Sequence, residues 1–354
     1  MTKHFCCFIC IFFCYLSNAI AQPPLEEIRT IIREKSLEQF PEFVLKNLTS
    51  DNLDSRLKQY DHFAHYVPPH EQAKSDSPDT GIIFFLHNQQ LWARPRLGHI
   101  ESLDPLPEIG VVTAVDRKAI DTDDSKHIVS VLSSALRGKT VLLTISSDGI
   151  AQGSTYAVKM KPTPYPEVSW VRKANNIIII RVDEFITHTT AIRFASIFDT
   201  VVTQKDKVVI DLRGCGGGDL FEAFEIAGMF VPVDAPLVIT TDHDHFQKIY
   251  RSPVGPKRPS PAIILIDKYS ASAAEILAGI LHYYKIGRLA GEKSYGKCTS
   301  QTVFSLPDHG ELWLTTVAVN FPNGSTCTGS GLHPDIFISG VTTKKYDELL
   351  PLVR

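Results

Sequence analysis

Apolar positions along the chain change period twice, and each change marks a new kind of structure. Leu25, Ile28, Ile31 and Ile32 fall on one helical face, and Phe43, Leu45 and Leu48 carry a similar face onward. The spacing predicts helical structure from Leu25 to about Tyr66, closed by Pro68-Pro69. Residues 70–80 are polar and turn-rich and read as a linker. From Gly81 the texture becomes β. Residues 81–86 and 91–93 suggest a short antiparallel pair, and residues 109–115 a strand turning at Asp116-Arg117-Lys118. Residues 140–145 and 156–160 suggest two more strands. Ile128, Val131, Leu132 and Ala135 give residues 126–136 a helical period, so this part reads as a small β-rich module with one helix. Pro162, Pro164 and Pro166 mark its exit.

Beyond Pro166, apolar runs of strand length alternate with helical periods. Expected strands are 177–182, 208–211, 237–240, 262–266, 289–291, 302–306 and 312–320; expected helices are 190–202, 220–230 and 272–284. Such alternation predicts an α/β layer architecture.

The first 21 residues read as a secretory signal peptide. Lys3 and His4 precede an apolar run from Phe5 to Leu16, and Ala19-Ile20-Ala21 is a small-x-small cleavage site. A membrane anchor would need about 20 apolar residues, more than this run holds. Export to a periplasmic or secreted location is therefore expected, with no membrane span after cleavage. Cys6, Cys7, Cys10 and Cys14 leave with the signal, while Cys215, Cys298 and Cys327 stay. An odd number allows at most one internal disulfide. The cysteines lack CxxC spacing, so no zinc site is expected.

The 354 residues are 44% hydrophobic and 21% charged, which excludes collagen, a coiled coil and a wholly disordered chain. A net charge of −3 supplies no field for nucleic acid.

Two turns between an apolar strand and a helix carry candidate chemistry. The first, Asp211-Leu212-Arg213-Gly214-Cys215-Gly216-Gly217-Gly218, lets backbone N–H groups approach an anion closely, although glycine runs are also ordinary punctuation. Its spacing fits neither a dinucleotide fingerprint nor a P-loop. The second, Ser270-Ala271-Ser272-Ala273-Ala274-Glu275, contains a formal capping box, Ser272-x-x-Glu275. Small neighbours leave the Ser272 hydroxyl uncovered, so the same turn can present a nucleophile, although GxSxG is absent. None of the 13 histidines is singled out as its base. His243 and His245 sit in a polar turn, and a metal pair there lacks further ligands. Lys297 is the other candidate base. A lysine can take a proton only when neutral, a state that burial favours.

Segments 208–224, 262–281 and 289–306 together resemble the carboxyl-terminal processing peptidases, or tail-specific proteases. The resemblance lies in Asp211-Leu212-Arg213 with Gly217-Gly218, then Ser270-Ala271-Ser272-Ala273-Ala274-Glu275-Ile276, then Gly291-Glu292, Gly296-Lys297 and Gln301, in that order. Leu314-Thr315-Thr316 and Gly329-Ser330-Gly331-Leu332-His333-Pro334-Asp335 are similar to the family's ending. The resemblance implies Ser272 as nucleophile, Lys297 as general base and Gln301 as its orienting partner, with the N–H groups of Gly217 and Ala273 as oxyanion hole. It makes Asp211 and Arg213 supporting residues and Ser270 the rival serine. It implies a spiral, crotonase/ClpP-like α/β core over 163–354, behind a helical segment at 22–75. An inserted PDZ-like peptide-binding domain is expected at 78–162. There Gly81, Ile82, Ile83 and Phe84 would receive a peptide C-terminus. Glu108-Ile109-Gly110-Val111 departs from the family's usual Gly-Asp.

The expected function is cleavage of protein substrates near their free C-termini by a serine endopeptidase that uses no metal or cofactor, with a regulatory adaptor as an allowed further partner. One rival is a gated or inactive PDZ-type peptide-binding protein. Another is a Ser–His esterase, which would tolerate loss of Lys297.

Overall fold

A computed structural model describes residues 23–69, 81–87, 89–96, 106–120, 140–146, 153–159, 166–256 and 260–352. The expected signal peptide, the 70–80 linker and the 126–136 helix lie outside these residues. The chain divides into two units, one of residues 1–72 with 303–314 and one of the remainder.

In the first unit, the helical expectation over 25–66 breaks into three helices and a strand. These are α1 (Leu25–Lys35), α2 (Glu42–Lys46), α3 (Leu53–Tyr60) and β1 (His65–Val67). Pro41 stands just before α2, where its missing N–H costs nothing but where α1 could not have continued. β1 is a strand because it has a partner: His65, Tyr66 and Val67 pair antiparallel with Trp313, Leu312 and Glu311. Ile28, Ile32, Leu45, Leu53 and Leu57 close a core with Leu306, Leu312 and Leu314.

The second unit begins with a small antiparallel sheet. β2 (Ile82–His87), β3 (Gln90–Pro95), β4 (Gly110–Val115), β6 (Thr140–Ser146) and β7 (Ser154–Lys159) run in that spatial order, with β5 (Lys118–Ala119) hairpinned to β4. Asp116 and Arg117 take left-handed φ values of 48° and 65°, which form the expected turn. Ile82, Leu91, Val112, Val141, Leu143 and Val158 make a core of their own. Glu108 accepts from the Tyr346 N–H at 2.9 Å and from Lys173 Nζ at 2.5 Å, so the residue that departs from Gly-Asp ties this module to the larger sheet.

The larger sheet is parallel except at one edge. Its strands are β8 (Val168–Lys173), β9 (Ile177–Val182), β10 (Lys207–Asp211), β13 (Pro261–Ile266), β14 (Arg288–Gly291) and β17 (Ile336–Phe337). They lie in the order β17-β14-β13-β10-β9-β8, with β8 antiparallel to β9. β9 is buried at every position because both faces are covered. Ile178, Ile180 and Val182 face a core shared with α4 (Thr190–Thr200), α5 (Leu220–Gly228) and α6 (Ala273–Tyr283). Ile177 and Ile179 face the opposite way, against Tyr346 and Leu349 of α7 (Tyr346–Leu349). A second ladder pairs β11 (Pro236–Asp242) with β12 (Gln247–Arg251) and with residues 317–320 of β16 (Glu311–Asn320), which follows β15 (Thr299–Ser305). Sequence periodicity missed β8 and β12; Trp170, Ile249 and their exposed charged neighbours become strands through ladder pairing rather than through an apolar run.

Parallel adjacency positions the site. β13 lies between β10 and β14, with Asp211 beside Leu265 and Ile266 beside Gly291. The three motif-bearing loops therefore leave three neighbouring strands at one carboxyl edge, where ligands collect in open α/β sheets.

Candidate active site

The glycine turn and the serine turn are stitched together by backbone and buried polar groups. Asp267 Oδ1 accepts from the Gly214 N–H at 2.9 Å, and the Cys215 carbonyl accepts from the Ala271 N–H at 2.9 Å. Ser270, the rival serine, is fully buried. Its hydroxyl donates to the Leu212 carbonyl at 2.8 Å and accepts from the Asp267 N–H at 2.9 Å. A hydroxyl committed on both sides and closed to solvent cannot attack a substrate, so Ser270 is part of the scaffold.

Ser272 differs. It is half-buried and precedes α6 with φ 55° and ψ −121°, a region that non-glycine residues rarely occupy. Such strain at a strand-to-helix junction lifts a side chain out of the turn, and it persists only where surrounding bonds hold it. Glu275 does the holding. This fully buried carboxylate accepts from the Ser272 N–H at 3.1 Å and the Lys297 N–H at 2.7 Å through Oε2. Through Oε1 it accepts from Ser294 Oγ at 2.5 Å and the Gly296 N–H at 2.7 Å. One carboxylate oxygen thus serves both candidate catalytic residues. Sequence reading assigned Glu275 only to a capping box; its second set of partners, 19 to 22 residues away, left no signal in local spacing.

Lys297 is half-buried, and its Nζ donates to Gln301 Oε1 at 2.6 Å. Gly217 packs directly on the serine. A Cβ built there would stand 2.7 Å from Ser272 Cβ and 3.0 Å from the Ala273 nitrogen, and its φ of 104° already excludes most side chains. The Ala273 N–H belongs to the first turn of α6, whose amides have no intrahelical acceptor. Burial pushes the Cys215 thiol up to about 12. The structure brings Ser272, Gly217 and Ala273 together and joins Lys297 to Gln301.

Asp211 and Arg213 stand behind the glycine turn. Arg213 forks onto Asp211 at 2.9 and 2.8 Å and donates to the carbonyls of Val341 and Lys344. Tyr346 Oη donates to Asp211 at 2.8 Å. Burial opposes the charge on Asp211, yet the guanidinium outweighs it and holds the carboxyl well below its usual range. Arg94 of β3 reaches the same turn and donates to the Arg213 carbonyl; burial pushes its guanidinium down to about 10. Cys298 is bonded to Cys327, and among the described residues Cys215 is a buried free thiol.

His243 and His245 are exposed in the turn between β11 and β12. Gly81, Ile82, Ile83 and Phe84 open β2, at the end of the small sheet, with Ile83 opposite Arg94 and Phe84 opposite Ala93. No helix among the described residues is long and apolar enough to cross a membrane.

Replacing Glu275 with glutamine keeps the volume but turns one acceptor into a donor that faces N–H and O–H donors. The expected result is a loss of about 2–4 kcal/mol in folding stability, read from chemical denaturation midpoints. An unchanged midpoint would remove Glu275 from its holding role.

Residues 176–338 match the model of peptidase family S41. Carboxy-terminal processing protease CtpB of Bacillus subtilis is 27% identical over 230 residues, covering 64% of this chain and 48% of that protein. A carboxyl-terminal-processing protease of Picosynechococcus sp. is 28% identical over 258 residues, 70% of this chain and 62% of that protein. The chain thus spans about half to three-fifths of the length of these curated relatives. Among solved structures, a putative S41 protease from Bacteroides fragilis superposes with TM-score 0.61 at 15% identity, covering 92% of this chain and 96% of the other. The photosystem II D1 C-terminal processing protease gives TM-score 0.54 at 19% identity, covering 89% and 92%. At such identities the structures establish a shared mixed α/β fold.

Proposed function

We propose that the chain, whose residues 176–338 match the model of peptidase family S41, is a serine endopeptidase that cuts protein substrates near their C-termini. The observation that carries the reading is the strained Ser272, packed against Gly217 and tied through Glu275 to the backbone of Lys297. In this reading the neutral amine of Lys297, oriented by Gln301, takes the Ser272 proton as the hydroxyl attacks the scissile carbonyl. The same group then protonates the leaving amine, and water repeats the sequence on the acyl-enzyme. The Ala273 N–H is one oxyanion donor. The Gly217 N–H, packed against Ser272, is the second.

The finer architecture is part of the proposal. The sheet at 163–354 is read as the spiral, crotonase/ClpP-like core and the sheet at 78–162 as an inserted PDZ-like domain. The Gly81–Phe84 strand would receive a substrate tail by strand addition. Residues 1–21 are read as a signal peptide, which places the enzyme outside the cytoplasm.

The test is covalent. An organophosphonate probe is expected to modify the folded protein once, at Ser272 by peptide mass, and to stop cleavage of an unfolded protein ending in free apolar residues. Modification elsewhere, or cleavage that survives full modification of Ser272, would overturn the assignment.

A further inference from the structure

We infer that the Cys298–Cys327 disulfide is a positioning element for Lys297, so that catalysis is conditional on an oxidised chain; the inference rests on the Ser–Lys reading above and adds regulation to it. Between β14 and β15, residues 292–298 form neither helix nor strand, so no ladder fixes the base. The Glu275 carboxylate holds the Gly296 and Lys297 N–H groups, and a second irregular stretch, residues 321–334, braces the segment as well. The Gly296 carbonyl accepts from the Gly329 N–H at 2.9 Å. Ser294 exchanges two hydrogen bonds with Leu332, its N–H donating to the carbonyl at 3.1 Å and its Oγ accepting from the N–H at 2.6 Å. The bracing stretch is itself built on Gly324, Gly329 and Gly331 at φ 83°, 72° and 66°, positions with large freedom once released. The disulfide closes the pair of segments one residue after Lys297 and spans 29 residues of sequence.

Both sulfurs are buried, so a reductant reaches them when the glycine-rich stretch opens. A dithiol attacks one sulfur and forms a mixed disulfide. Its second thiol then displaces the protein sulfur and leaves as a cyclic disulfide. Two electrons and two protons pass to Cys298 and Cys327. The β14, β15 and β16 ladders do not depend on this bond, so the reduced protein keeps its fold and loses the placement of the base. A chain of this kind is idle in a reducing compartment and active in an oxidising one.

The full chain is compared before and after dithiothreitol, with reduction of Cys298 and Cys327 confirmed by alkylation and peptide mass. Expected on reduction are a fall in kcat of at least tenfold, KM within twofold, and recovery on reoxidation. Amides of 294–298 should lose hydrogen-exchange protection while β10 and β13 keep theirs. The Cys298→Ser/Cys327→Ser double variant should match the reduced protein. Full kcat in the reduced protein, unchanged protection at 294–298, or loss of protection across β10 and β13 as well would each overturn the proposal. If the oxidised protein neither cleaves nor reacts with the phosphonate probe, the Ser–Lys reading fails, and the exchange data still decide the disulfide's positioning role.

Discussion

Lys297→Ala is expected to lower kcat/KM by about 10⁴-fold, and Ser272→Ala by at least as much, with both proteins folded. The reason is local. The Lys297 backbone is held by the Glu275 carboxylate and by its neighbour in the Cys298–Cys327 bond, neither of which needs the amine. Truncating the side chain removes a 2.6 Å hydrogen bond to Gln301, which is half exposed and takes water in its place. The stability cost should therefore stay within about 1 kcal/mol. In the proposed mechanism, catalysis loses the group that accepts the serine proton, and Ser270 offers no substitute, because its hydroxyl is already committed. Cleavage of an unfolded protein with a free apolar C-terminus measures the first effect and circular dichroism the second. A Lys297→Ala protein that cuts at the parent rate would place the base elsewhere and reopen a Ser–His mechanism.

Gly217→Ala is expected to reduce kcat by about 10³-fold, while Gly216→Ala leaves it within about twofold. The two glycines are adjacent and look alike in sequence. At Gly217 a methyl would meet Ser272 Cβ at 2.7 Å and the Ala271 carbonyl oxygen at 2.8 Å, on a backbone with φ 104°. Neither neighbour is the far end of a flexible chain, so the turn must retreat from the serine. At Gly216 a Cβ meets nothing within 4 Å, and the backbone is not left-handed. Strain of about 1–3 kcal/mol should appear in the Gly217→Ala melting temperature as well. Equal activity of the two variants would show that the glycine turn does not contribute to the oxyanion site.

Several features were legible because they depend on neighbours in sequence. The strands at 177–182 and 207–211 are built on the apolar runs Ile177–Ile180 and Val208–Ile210, and the helix after Ser272 carries an unbroken apolar stripe. The β2–β3 pair and the Asp116-Arg117 turn follow from local pattern and turn chemistry in the same way. The helical reading across 25–66 failed at its end because His65, Tyr66 and Val67 have no intrinsic preference strong enough to resist a partner strand 244 to 248 residues away. β8 and β12 were invisible for the same reason: each is a strand by virtue of its ladder.

What the sequence offered by itself was a set of candidate groups. Ser272, Lys297 and the glycine turn were candidates by residue type and position, and the resemblance to the carboxyl-terminal processing peptidases added Gln301 and the role of each. Tertiary structure alone decided their surroundings. It buried the Ser270 hydroxyl and strained the backbone of Ser272. It separated Gly217 from Gly216 by what stands within 3 Å, and it paired Cys298 with Cys327 rather than with Cys215. It also turned Glu275 from a helix cap into the bridge between the backbones of Ser272 and Lys297. These choices depend on distances between segments that three adjacent parallel strands bring to one edge, and such distances are set by packing across the sheet, which local sequence does not encode.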